Sequence, residues 1–453
     1  MPATAGAPAR GAPQRSTVGE GDARRHPGQA KVSRTLAAVE SPVVGVVGAG
    51  QLARMMQEAA IALGIPLLLL AETSDAAAAQ VIPATTVGDY TDLDVLRTWS
   101  RGCAVVTFDH EHVPTGHLEA LATAGVACRP GPSALVHAQD KIRMRERLTA
   151  LGVPCPRYTV ATDVSGVLGF AAGGAGLPVV VKVARGGYDG KGVWFVEDEA
   201  QAREVFRGLP PGERLLVEER VRFRRELSAL VARAPNGQLA AYPVVESVQR
   251  DGICVEVVAP APGLDPDRAM AAQEIAMRIA TELDVTGVLA VEMFEGPDGE
   301  VVVNELAMRP HNTGHWTIEG AVTSQFENHL RAVLDLPLGL PLARAPWTVM
   351  VNILGGSAPT LVDGYPHVQA RDPALKVHLY GKQVRPGRKV GHVTAYGNDL
   401  ADVRERARHA AGWFDGSLAA GTGGTGGTGA AGGTGAAGEE ATGNETAAAR
   451  PAH

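Results

Sequence analysis

Apolar runs that alternate with helical segments begin at residue 42. A β-branched run at Pro42–Val47 enters a glycine turn at 48–50, and a helical pattern continues from there to Leu63. Two further apolar runs, Ile65–Leu70 and Ala104–Phe108, predict additional strands. Strands that alternate with helices in this way are typical of an α/β fold, in which ligands bind beyond the carboxyl ends of the strands.

A predicted β-hairpin at residues 287–306 carries a carboxylate inside each of its apolar strands, Glu292 in the first and Glu305 in the second. If the turn pairs Phe294 with Val301, the two carboxylates lie on the same face, one diagonal step apart. A slip of one residue would place them on opposite faces. Two acids at this spacing need a cation, and Mg²⁺ carried by a nucleotide fits. The alternative is a solvated hairpin with ordinary surface glutamates.

A lysine inside a buried-type strand predicts an anion nearby. Lys182 lies in the apolar run Leu177–Val183, and the loop that follows at 185–192 contains four glycines and two basic residues. The lysine needs a negative partner, and so flexible a loop can fold over phosphates. The loop lacks the GK[ST] sequence of a Walker A motif. A plain hairpin turn is the alternative.

The apolar run Arg214–Val217 predicts a strand that ends at Glu218, and we predict that Glu226–Val231 pairs with it. A strand that ends beside a cleft can offer backbone groups to an adenine edge and a carboxylate to a ribose. This use of Glu218, Val221 or Glu226 is a hypothesis.

Two basic segments are candidates for phosphate contacts. Residues 382–389 place four cations around a Pro-Gly turn, which suits a phosphate monoester, with an exposed basic hairpin as the alternative. The predicted helix Ala138–Leu151 carries Lys141 in its first half, and most of its charge is interpreted as a solvated face. The polar loop at 309–316 contains Pro310, which excludes a regular helix, so we predict that it lines a cleft.

The glycine turn and the histidines near residue 110 admit other interpretations. The turn has GxGxxA spacing and Glu72 follows roughly 20 residues later, so a nicotinamide cofactor fits, although a general phosphate or small-ligand turn is favoured. His110 and His112 flank Glu111, but the spacing is not HExxH and Pro114 excludes a helix. Zinc is therefore not expected there.

Composition narrows the class of protein. The 453 residues carry 42 basic and 49 acidic side chains, a net charge of −7, so no nucleic-acid surface is expected. Four scattered cysteines without a CxxC pair favour free thiols in a reducing, cytoplasmic compartment. The longest apolar run, Ile61–Ala71, is too short to span a membrane. Residues 1–40 and the Gly/Ala/Thr-rich segment 415–453 are predicted to be disordered.

Seven motifs occur in a defined order: GAGQLARM, FDHEHVP, AQDK, RGGYDGKG, EERV, NELAMRPHNTGHWTIEG and RPGRKVGH. Together they resemble the N5-carboxyaminoimidazole ribonucleotide synthases, ATP-grasp enzymes of purine biosynthesis, over residues 43–413. The resemblance implies an α/β, ATP-grasp fold with an N-terminal pre-ATP-grasp α/β domain and a small C-terminal domain. The implied divisions are a disordered extension (1–40), the pre-ATP-grasp domain (41–135), the ATP-grasp domain (136–335), the C-terminal domain (336–414) and a disordered tail (415–453).

The resemblance also implies a reaction and its partners. ATP and bicarbonate carboxylate 5-aminoimidazole ribonucleotide to N5-carboxyaminoimidazole ribonucleotide by way of carboxyphosphate, with Mg²⁺ accompanying ATP. The glycine turn is then not a nicotinamide site. A cytoplasmic homodimer is implied, and because the product is a labile carbamate, hand-off to N5-carboxyaminoimidazole ribonucleotide mutase is a further expectation.

The motifs assign roles to individual residues by resemblance. The implied ATP-binding residues are Lys141, Lys182, Gly187, Tyr188, Asp189, Gly190, Lys191, Gly192, Val193, Glu218, Glu219, Arg220, Val221, Glu226, Asn304 and Glu305. The implied substrate-binding residues are Gln51, Leu52, Glu111, Arg309, His311, Asn312, Lys382, Arg388 and Lys389. The implied catalytic residues are Lys182, Tyr188, Asp189, Lys191 and Arg309. The implied Mg²⁺ ligands are Glu292 and Glu305.

Two departures from the family pattern and two rival functions stand beside this assignment. His110 and His112 replace a phenylalanine and an asparagine of some relatives, and Gln249 stands where relatives often carry a histidine near ATP. A sister enzyme such as the formate-dependent glycinamide ribotide transformylase would share the ATP half, but the last two motifs argue against it. A non-enzymatic ATP-binding module is disfavoured because Lys182 and both hairpin glutamates are intact.

Overall fold

The computed structural model describes residues 41–187, 191–210, 212–358 and 360–418. The predicted extension at 1–40, the predicted tail from residue 419 onwards, and three predicted site residues, Tyr188, Asp189 and Gly190, lie outside the described residues. Within the described ranges no helix combines the length and apolar composition needed to cross a membrane.

A four-stranded parallel sheet opens the described chain, with strand order β3-β2-β1-β4. Its strands are β1 (Val44–Val47), β2 (Leu67–Ala71), β3 (Thr85–Val87) and β4 (Val105–Phe108). The helices of this part are α1 (Gln51–Leu63), α2 (Leu93–Ser100) and α3 (Thr115–Thr123). Every residue of β1 and β4 is buried, as expected for continuous apolar strands in a parallel sheet. The predicted strand–turn–helix pattern is confirmed here.

A small antiparallel sheet follows, with strand order β5-β8-β6-β7. Helices α4 (Pro132–Gln139) and α5 (Lys141–Ala150) precede it. Its strands are β5 (Tyr158–Ala161), β6 (Val179–Val183), β7 (Val193–Val196) and β8 (Leu215–Glu219). Helices α6 (Val164–Phe170) and α7 (Glu199–Arg207) pack on it, and Val167 and Val205 share one apolar cluster with Val179 and Val181 of β6.

A nine-stranded antiparallel sheet forms the rest of the described chain, in the order β14-β13-β9-β11-β12-β15-β17-β16 with β10 paired to β9. Its strands are β9 (Arg225–Arg233), β10 (Leu239–Ala241), β11 (Val245–Arg250), β12 (Ile253–Ala259), β13 (Gly287–Glu295), β14 (Val301–Ala307), β15 (Trp347–Leu354), β16 (Lys376–Leu379) and β17 (Lys389–Gly397). Its helices are α8 (Pro266–Glu282), α9 (Thr317–Gly320), α10 (Gln325–Val333), α11 (Tyr365–Arg371) and α12 (Leu400–Phe414).

The C-terminal strands extend this large sheet. β15 pairs with β12 and β17 pairs with β15, so the sheet continues across the proposed division at residue 335. Glu256 on β12 is 2% exposed and accepts hydrogen bonds from Arg404 and Arg408 of α12. The predicted disorder of segment 415–453 is wrong for its first four residues, because residues 415–418 form a turn after α12 and the Asp415 carbonyl accepts a hydrogen bond from the Ser357 N–H. The domain divisions themselves remain a prediction.

The predicted pairing of strand 214–217 with strand 226–231 is wrong. β8 lies between β5 and β6 in the small sheet, whereas β9 lies between β13 and β11 in the large sheet. Both edges of β8 are already hydrogen-bonded, which leaves no edge for β9. Residues 220–224 therefore connect the two sheets.

The predicted hairpin is present, but its register differs from the prediction. Glu295 pairs with Val301, one residue later than expected, and a bulge in β14 then places Glu305 directly opposite Glu292. Asn304 is the extra residue of the bulge. The register and the bulge each shift the pairing by one residue, so together they keep Glu305 on the same face as Glu292. The two glutamates are therefore direct partners instead of diagonal neighbours.

The single helix predicted at 138–151 is two helices in the structure. Asp140 adopts an extended conformation between them, with φ −129° and ψ 106°. Its carboxylate caps α5 by accepting hydrogen bonds from the backbone N–H groups of Ile142 and Arg143, each at 3.1 Å. Lys141 therefore begins α5 instead of lying within a longer helix.

Candidate active site

A cleft of about 1560 Å³ is lined by strand residues of the small and large sheets and by helix and loop residues next to the parallel sheet. The structure brings together in its walls most of the predicted site residues, namely Gln51, Leu52, Glu111, Lys141, Lys182, Gly187, Val193, Glu218, Glu219, Arg220, Val221, Glu226, Glu292, Asn304, Glu305, Arg309, His311, Asn312 and Lys389. Four other predicted residues that the structure describes lie outside the cleft lining: Lys191, Gly192, Lys382 and Arg388. Lys382 Nζ nevertheless donates a hydrogen bond to Gln51 Oε1 on the cleft wall.

Glu292 and Glu305 have pKa values shifted in opposite directions. Burial raises the pKa of Glu292 to about 7, and the carboxylates of Glu305 and Glu226 add to this rise. Burial acts on Glu305 too, but the Lys141 ammonium is hydrogen-bonded to its Oε1 and lowers its pKa overall. Lys141 thus neutralises Glu305, whereas Glu292 lacks a comparable positive charge among the described residues.

This carboxylate pair suits a divalent cation. Oxygen ligands from Glu292 and Glu305, with the Asn304 amide in the adjacent bulge, are the donor types that Mg²⁺ prefers. Among the residues that the structure describes, no group of three His, Cys, Asp or Glu side chains could hold a metal ion. A cation at the pair would therefore take its remaining ligands from nucleotide phosphates and water, as Mg²⁺ commonly does.

Lys182 contacts Glu218 and Asn304. Its Nζ lies 2.7 Å from Glu218 Oε2 and donates a hydrogen bond to Asn304 Oδ1 at 3.0 Å. Burial raises the pKa of Glu218, but Lys182 and Arg145 outweigh it and lower the pKa overall. The anion beside Lys182 in the structure is thus Glu218. The predicted contacts of Glu218 with adenine and of Lys182 with phosphate remain predictions.

The two described ends of the glycine loop lie against each other. Gly187 has φ 77° and Gly192 has φ 75°, both in the left-handed region that favours glycine. A Cβ atom at residue 187 would lie 2.5 Å from the Lys191 carbonyl oxygen, and one at residue 192 would lie 2.6 Å from Val183 Cγ2. Glycine is required at both positions, so the loop leaves and rejoins the sheet through a narrow neck beside Lys182.

Three phenylalanines that sequence analysis missed line the cleft near Arg220. Phe223 and Phe294 stack with their ring centroids 4.6 Å apart, and the Arg220 guanidinium lies 5.7 Å from the Phe195 ring centroid. Flat apolar side chains beside a polar rim suit a nucleobase. Glu226 lines the same cleft, and burial raises its pKa to about 7. The sequence signal that could have identified them is the rarity of phenylalanine, because the chain has only 8 phenylalanines and three of them line this cleft.

An ion pair between Glu111 and Arg309 lies elsewhere in the cleft wall. Glu111 accepts hydrogen bonds from Arg309 Nε at 2.7 Å and from the backbone N–H of Met308 at 3.1 Å. Burial disfavours the Arg309 cation, but Glu111 outweighs this and raises its pKa. His311 Nε2 lies 3.6 Å from Glu292 Oε1, and burial lowers the pKa of His311 well below its usual value. The Glu111–Arg309 pair thus joins the loop after β4 to the loop after β14.

The glycine turn before α1 holds a carboxylate of the protein itself. Asp109 accepts hydrogen bonds from the backbone N–H groups of Gly50 at 3.0 Å and Ala53 at 2.7 Å. A Cβ at Gly50 would lie 2.3 Å from the Asp109 carboxylate. The N–H groups of Gly50 and Ala53 are thus already paired with an anion, which argues against a dinucleotide phosphate there, whereas the favoured role as a general phosphate or small-ligand turn remains a prediction.

The residues that depart from the family pattern also lie at the cleft. His110 Nε2 is 3.4 Å from Glu72 Oε1, and His110 Nδ1 accepts a hydrogen bond from the His112 N–H. Among the described residues, neither histidine belongs to a group of three His, Cys, Asp or Glu side chains that could hold a metal ion. Gln249 lines the cleft and donates a hydrogen bond to Ser247 Oγ at 2.8 Å.

The fold and the site define the class of the protein. An N-terminal parallel sheet is followed by a small antiparallel sheet and a large sheet, and the cleft contains Lys141, Lys182, a carboxylate pair and the described ends of a glycine-rich loop. This arrangement is that of an ATP-grasp ligase. Three family models match the chain: "Ribonucleotide synthetase preATP-grasp domain" at residues 42–139, "ATP-grasp domain" at 146–326 and "Phosphoribosylaminoimidazole carboxylase C-terminal domain" at 348–406.

Named relatives make the assignment more specific. N5-carboxyaminoimidazole ribonucleotide synthase of Mycobacterium tuberculosis is 56% identical over 377 residues, covering 82% of this chain and 88% of the relative. Carboxyaminoimidazole ribonucleotide synthase of Aspergillus clavatus, solved with ATP, superposes with a TM-score of 0.76 at 32% identity, covering 83% of this chain and 98% of that one. The Aspergillus clavatus enzyme solved with ADP and 5-aminoimidazole ribonucleotide gives a TM-score of 0.73 at 32% identity, covering 83% and 99%. The chain belongs to the N5-carboxyaminoimidazole ribonucleotide synthases, ATP-dependent ligases of purine biosynthesis.

Proposed function

We propose that the cleft binds ATP with Mg²⁺, bicarbonate and 5-aminoimidazole ribonucleotide, and that the ribotide amine is carboxylated by way of carboxyphosphate. The observation that carries this proposal is the convergence of Lys141, Lys182, Glu292 and Glu305 in one cleft with the Glu111–Arg309 pair. Structures of relatives with ATP, and with ADP and the ribotide, support the same pair of ligands for this chain.

We assign each part of the cleft a task in that reaction. Lys182 and Lys141 lie where they can neutralise the phosphates of ATP, and the phenylalanines near Arg220 suit the adenine ring. Glu292 and Glu305 would hold Mg²⁺, which when bound supplies positive charge to the nucleotide phosphates. Arg309 and Lys389 lie in the cleft wall where they can contact the anionic ribotide or bicarbonate.

We propose two chemical steps. A bicarbonate oxygen attacks the γ-phosphorus of ATP, the bond to ADP breaks, and carboxyphosphate forms. Carboxyphosphate then releases phosphate and CO₂, and the ribotide amine adds to the CO₂ carbon and loses a proton to give the carbamate. Since carboxyphosphate hydrolyses readily, the reaction needs a cleft that excludes water, and we assign this task to the glycine loop, whose described ends Gly187 and Gly192 lie beside Lys182.

The finer assignments belong to the same proposal. Catalytic roles for Tyr188, Asp189, Lys191 and Arg309, and ribotide contacts for His311, Asn312, Lys382 and Arg388, rest on the motif resemblance. A homodimer and hand-off of the labile product to the mutase rest on family membership. A cytoplasmic location is supported by the four cysteines, which are all free thiols in the structure.

The test is ADP formation by the purified protein with MgATP and bicarbonate, with and without 5-aminoimidazole ribonucleotide. Strong stimulation by this ribotide supports the proposal. Turnover that ignores this ribotide but rises with glycinamide ribotide and formate would assign the cleft to the sister transformylase reaction. Binding of ATP without turnover under any of these conditions would point to a non-enzymatic module.

A further inference from the structure

Asn304, Lys182, Glu218 and Arg145 form a closed ring of polar contacts, in which Asn304 takes part through both its side chain and its backbone carbonyl. Lys182 Nζ donates a hydrogen bond to its side-chain oxygen at 3.0 Å, and Arg145 Nη2 donates one to its backbone carbonyl at 2.9 Å. Glu218 closes the ring, with Oε1 2.5 Å from Arg145 Nη2 and Oε2 2.7 Å from Lys182 Nζ. The ring therefore joins α5, β6 and β8 to the bulge of β14.

Arg145 makes polar contacts to two backbone carbonyls of β14 and to Glu218 of β8. Its side chain is 0% exposed, and Nη1 donates a second backbone hydrogen bond, to the Val303 carbonyl at 2.7 Å. Arg145 thus binds two consecutive carbonyls of β14 at the bulge and one carboxylate of β8. A buried guanidinium is rare unless it is paired, and here it donates two hydrogen bonds to backbone carbonyls and forms an ion pair with Glu218.

The two carbonyls that Arg145 binds belong to the bulge that orients the carboxylate site. In a regular strand, Asn304 and Glu305 would face opposite sides, but both line the cleft in this structure. The bulge makes this possible, and it also places Glu305 opposite Glu292. Arg145 itself is not among the residues that line the cleft, so it can act on the reaction only through the groups it holds.

We propose that Arg145 is a positioning residue of the ATP site: it fixes the β14 bulge, and through it Asn304 and Glu305, and it fixes Lys182 through Glu218. This inference rests on the proposed function, because it takes Lys182, Asn304 and Glu305 as groups that contact MgATP. Arg145 connects the small sheet to the large sheet at the point where the nucleotide phosphates would lie.

Replacing Arg145 with lysine distinguishes the effect of the guanidinium geometry from the effect of its positive charge. Arg145→Lys keeps a cation near Glu218, but a single ammonium on a flexible chain cannot reproduce the planar fork toward two carbonyls and a carboxylate. Arg143→Lys is the matched control, because Arg143 lies on the same helix with an exposed side chain. The experiment compares the parent and these two variants.

Three quantities are measured: the midpoint of thermal unfolding, ribotide-dependent ADP formation well below that midpoint, and amide hydrogen exchange of residues 301–307 without ligands. For Arg145→Lys we expect kcat to fall by about 10- to 100-fold, because catalytic groups displaced by a fraction of an ångström lose their alignment. We expect KM for the ribotide to change by less than about threefold, since the ring does not touch the proposed ribotide contacts. Amides of 301–307 should exchange faster, and Arg143→Lys should match the parent throughout.

Unchanged kcat and unchanged exchange in Arg145→Lys, with a lower unfolding midpoint, would show that Arg145 is only structural and overturn the inference. If Arg145→Lys does not fold, Glu218→Gln takes its place, because it weakens the ring at constant side-chain size, and faster exchange of 301–307 is again required. Absence of ribotide-dependent turnover in the parent would instead refute the proposed function, while the exchange comparison would still decide the role of Arg145.

Discussion

Glu292 and Glu305 are direct partners across β13 and β14, yet their pKa values move in opposite directions. Burial acts on both carboxylates, so the difference comes from Lys141, which is hydrogen-bonded to Glu305. Lys141 reaches the pair because Asp140 ends one helix and begins the next. The pair is thus half neutralised by the protein, and Glu292 is left to titrate near pH 7 until a further positive charge arrives.

Removing the charge of Glu305 should abolish most of the activity. Glu305→Gln should lower ribotide-dependent turnover by about 100-fold or more, because a ligand of the proposed Mg²⁺ is lost and Lys141 loses its partner. The unfolding midpoint should change little, since the Glu305 side chain is still 40% exposed to the cleft. Steady-state ADP formation and thermal unfolding test this together. Glu274→Gln on the exposed face of α8 is the control, and parent-like turnover of Glu305→Gln would refute the metal assignment.

The raised pKa of Glu292 predicts a pH dependence of stability. Its folded-state pKa is about 7 and its ordinary value is 4.5, so the folded protein keeps this proton where the unfolded chain has lost it. The contribution of Glu292 to the free energy of unfolding is therefore largest at low pH and falls as pH rises from 4.5 to about 7. Glu226, with a pKa of about 7, adds to the same slope.

Urea unfolding of the ligand-free protein across this pH range measures the slope. Glu292→Gln should flatten it and should make the variant more stable than the parent near neutral pH, because a poorly paired buried charge has been removed. Glu226→Gln should remove the other part of the slope. Identical pH profiles for Glu292→Gln and the parent would show that Glu292 does not titrate in this window.

Sequence analysis found the site because its chemistry lies in contiguous motifs. The paired glutamates, Lys182 and the glycine loop each stand out as polar or flexible residues beside apolar strands, and burial of such residues is costly without a purpose. The same reasoning predicted the N-terminal strand–turn–helix pattern. Assignment of the three domains and of the ribotide contacts needed the family resemblance.

The errors of the sequence analysis have specific physical causes. Alternation of side chains cannot reveal a bulge, so the placement of Glu292 and Glu305 on one face was predicted through the wrong register, and their direct pairing was not predicted. A strand sequence does not say which edge it will find, so β8 was paired with β9 although they lie in different sheets. Asp140 was passed over as a helix cap because it stands inside a long helical pattern. The carboxylate of Asp109, which fills the glycine turn, is distant in sequence from that turn.

The Glu111–Arg309 pair predicts a selective loss of ribotide use. Glu111→Gln keeps the size of the side chain but removes the charge that holds Arg309 through Nε and also fixes the Met308 N–H. We expect kcat/KM for the ribotide to fall by about tenfold or more, as for the loss of one partner of a buried ion pair. KM for ATP should stay within about twofold of the parent value.

Steady-state kinetics with each substrate varied in turn distinguish the two effects. Glu119→Gln, an exposed change on the neighbouring helix α3, should leave both constants at parent values. An equal loss for ATP and the ribotide in Glu111→Gln would mean that the pair supports the whole cleft and does not serve ribotide binding in particular.

Glu256 provides a test of stability away from the cleft. Its carboxylate is 2% exposed, and it binds Arg404 Nε at 2.9 Å and Arg408 Nε at 2.5 Å, so it fastens α12 to the large sheet. Glu256→Gln leaves two arginines facing a neutral amide. Removal of one partner of a buried pair costs about 3–5 kcal/mol, but the Arg408 side chain is 57% exposed and can turn to water, so we expect a loss of about 1–3 kcal/mol. Urea unfolding measures this loss.

The matched control is Glu405→Gln. The Glu405 carboxylate pairs with Arg371 on the surface, where the two side chains are 60% and 52% exposed, so the change should cost less than about 0.5 kcal/mol. Because Glu256 does not line the cleft, the kcat of folded Glu256→Gln should equal that of the parent. Equal losses of unfolding free energy in Glu256→Gln and Glu405→Gln would contradict the proposed role of Glu256.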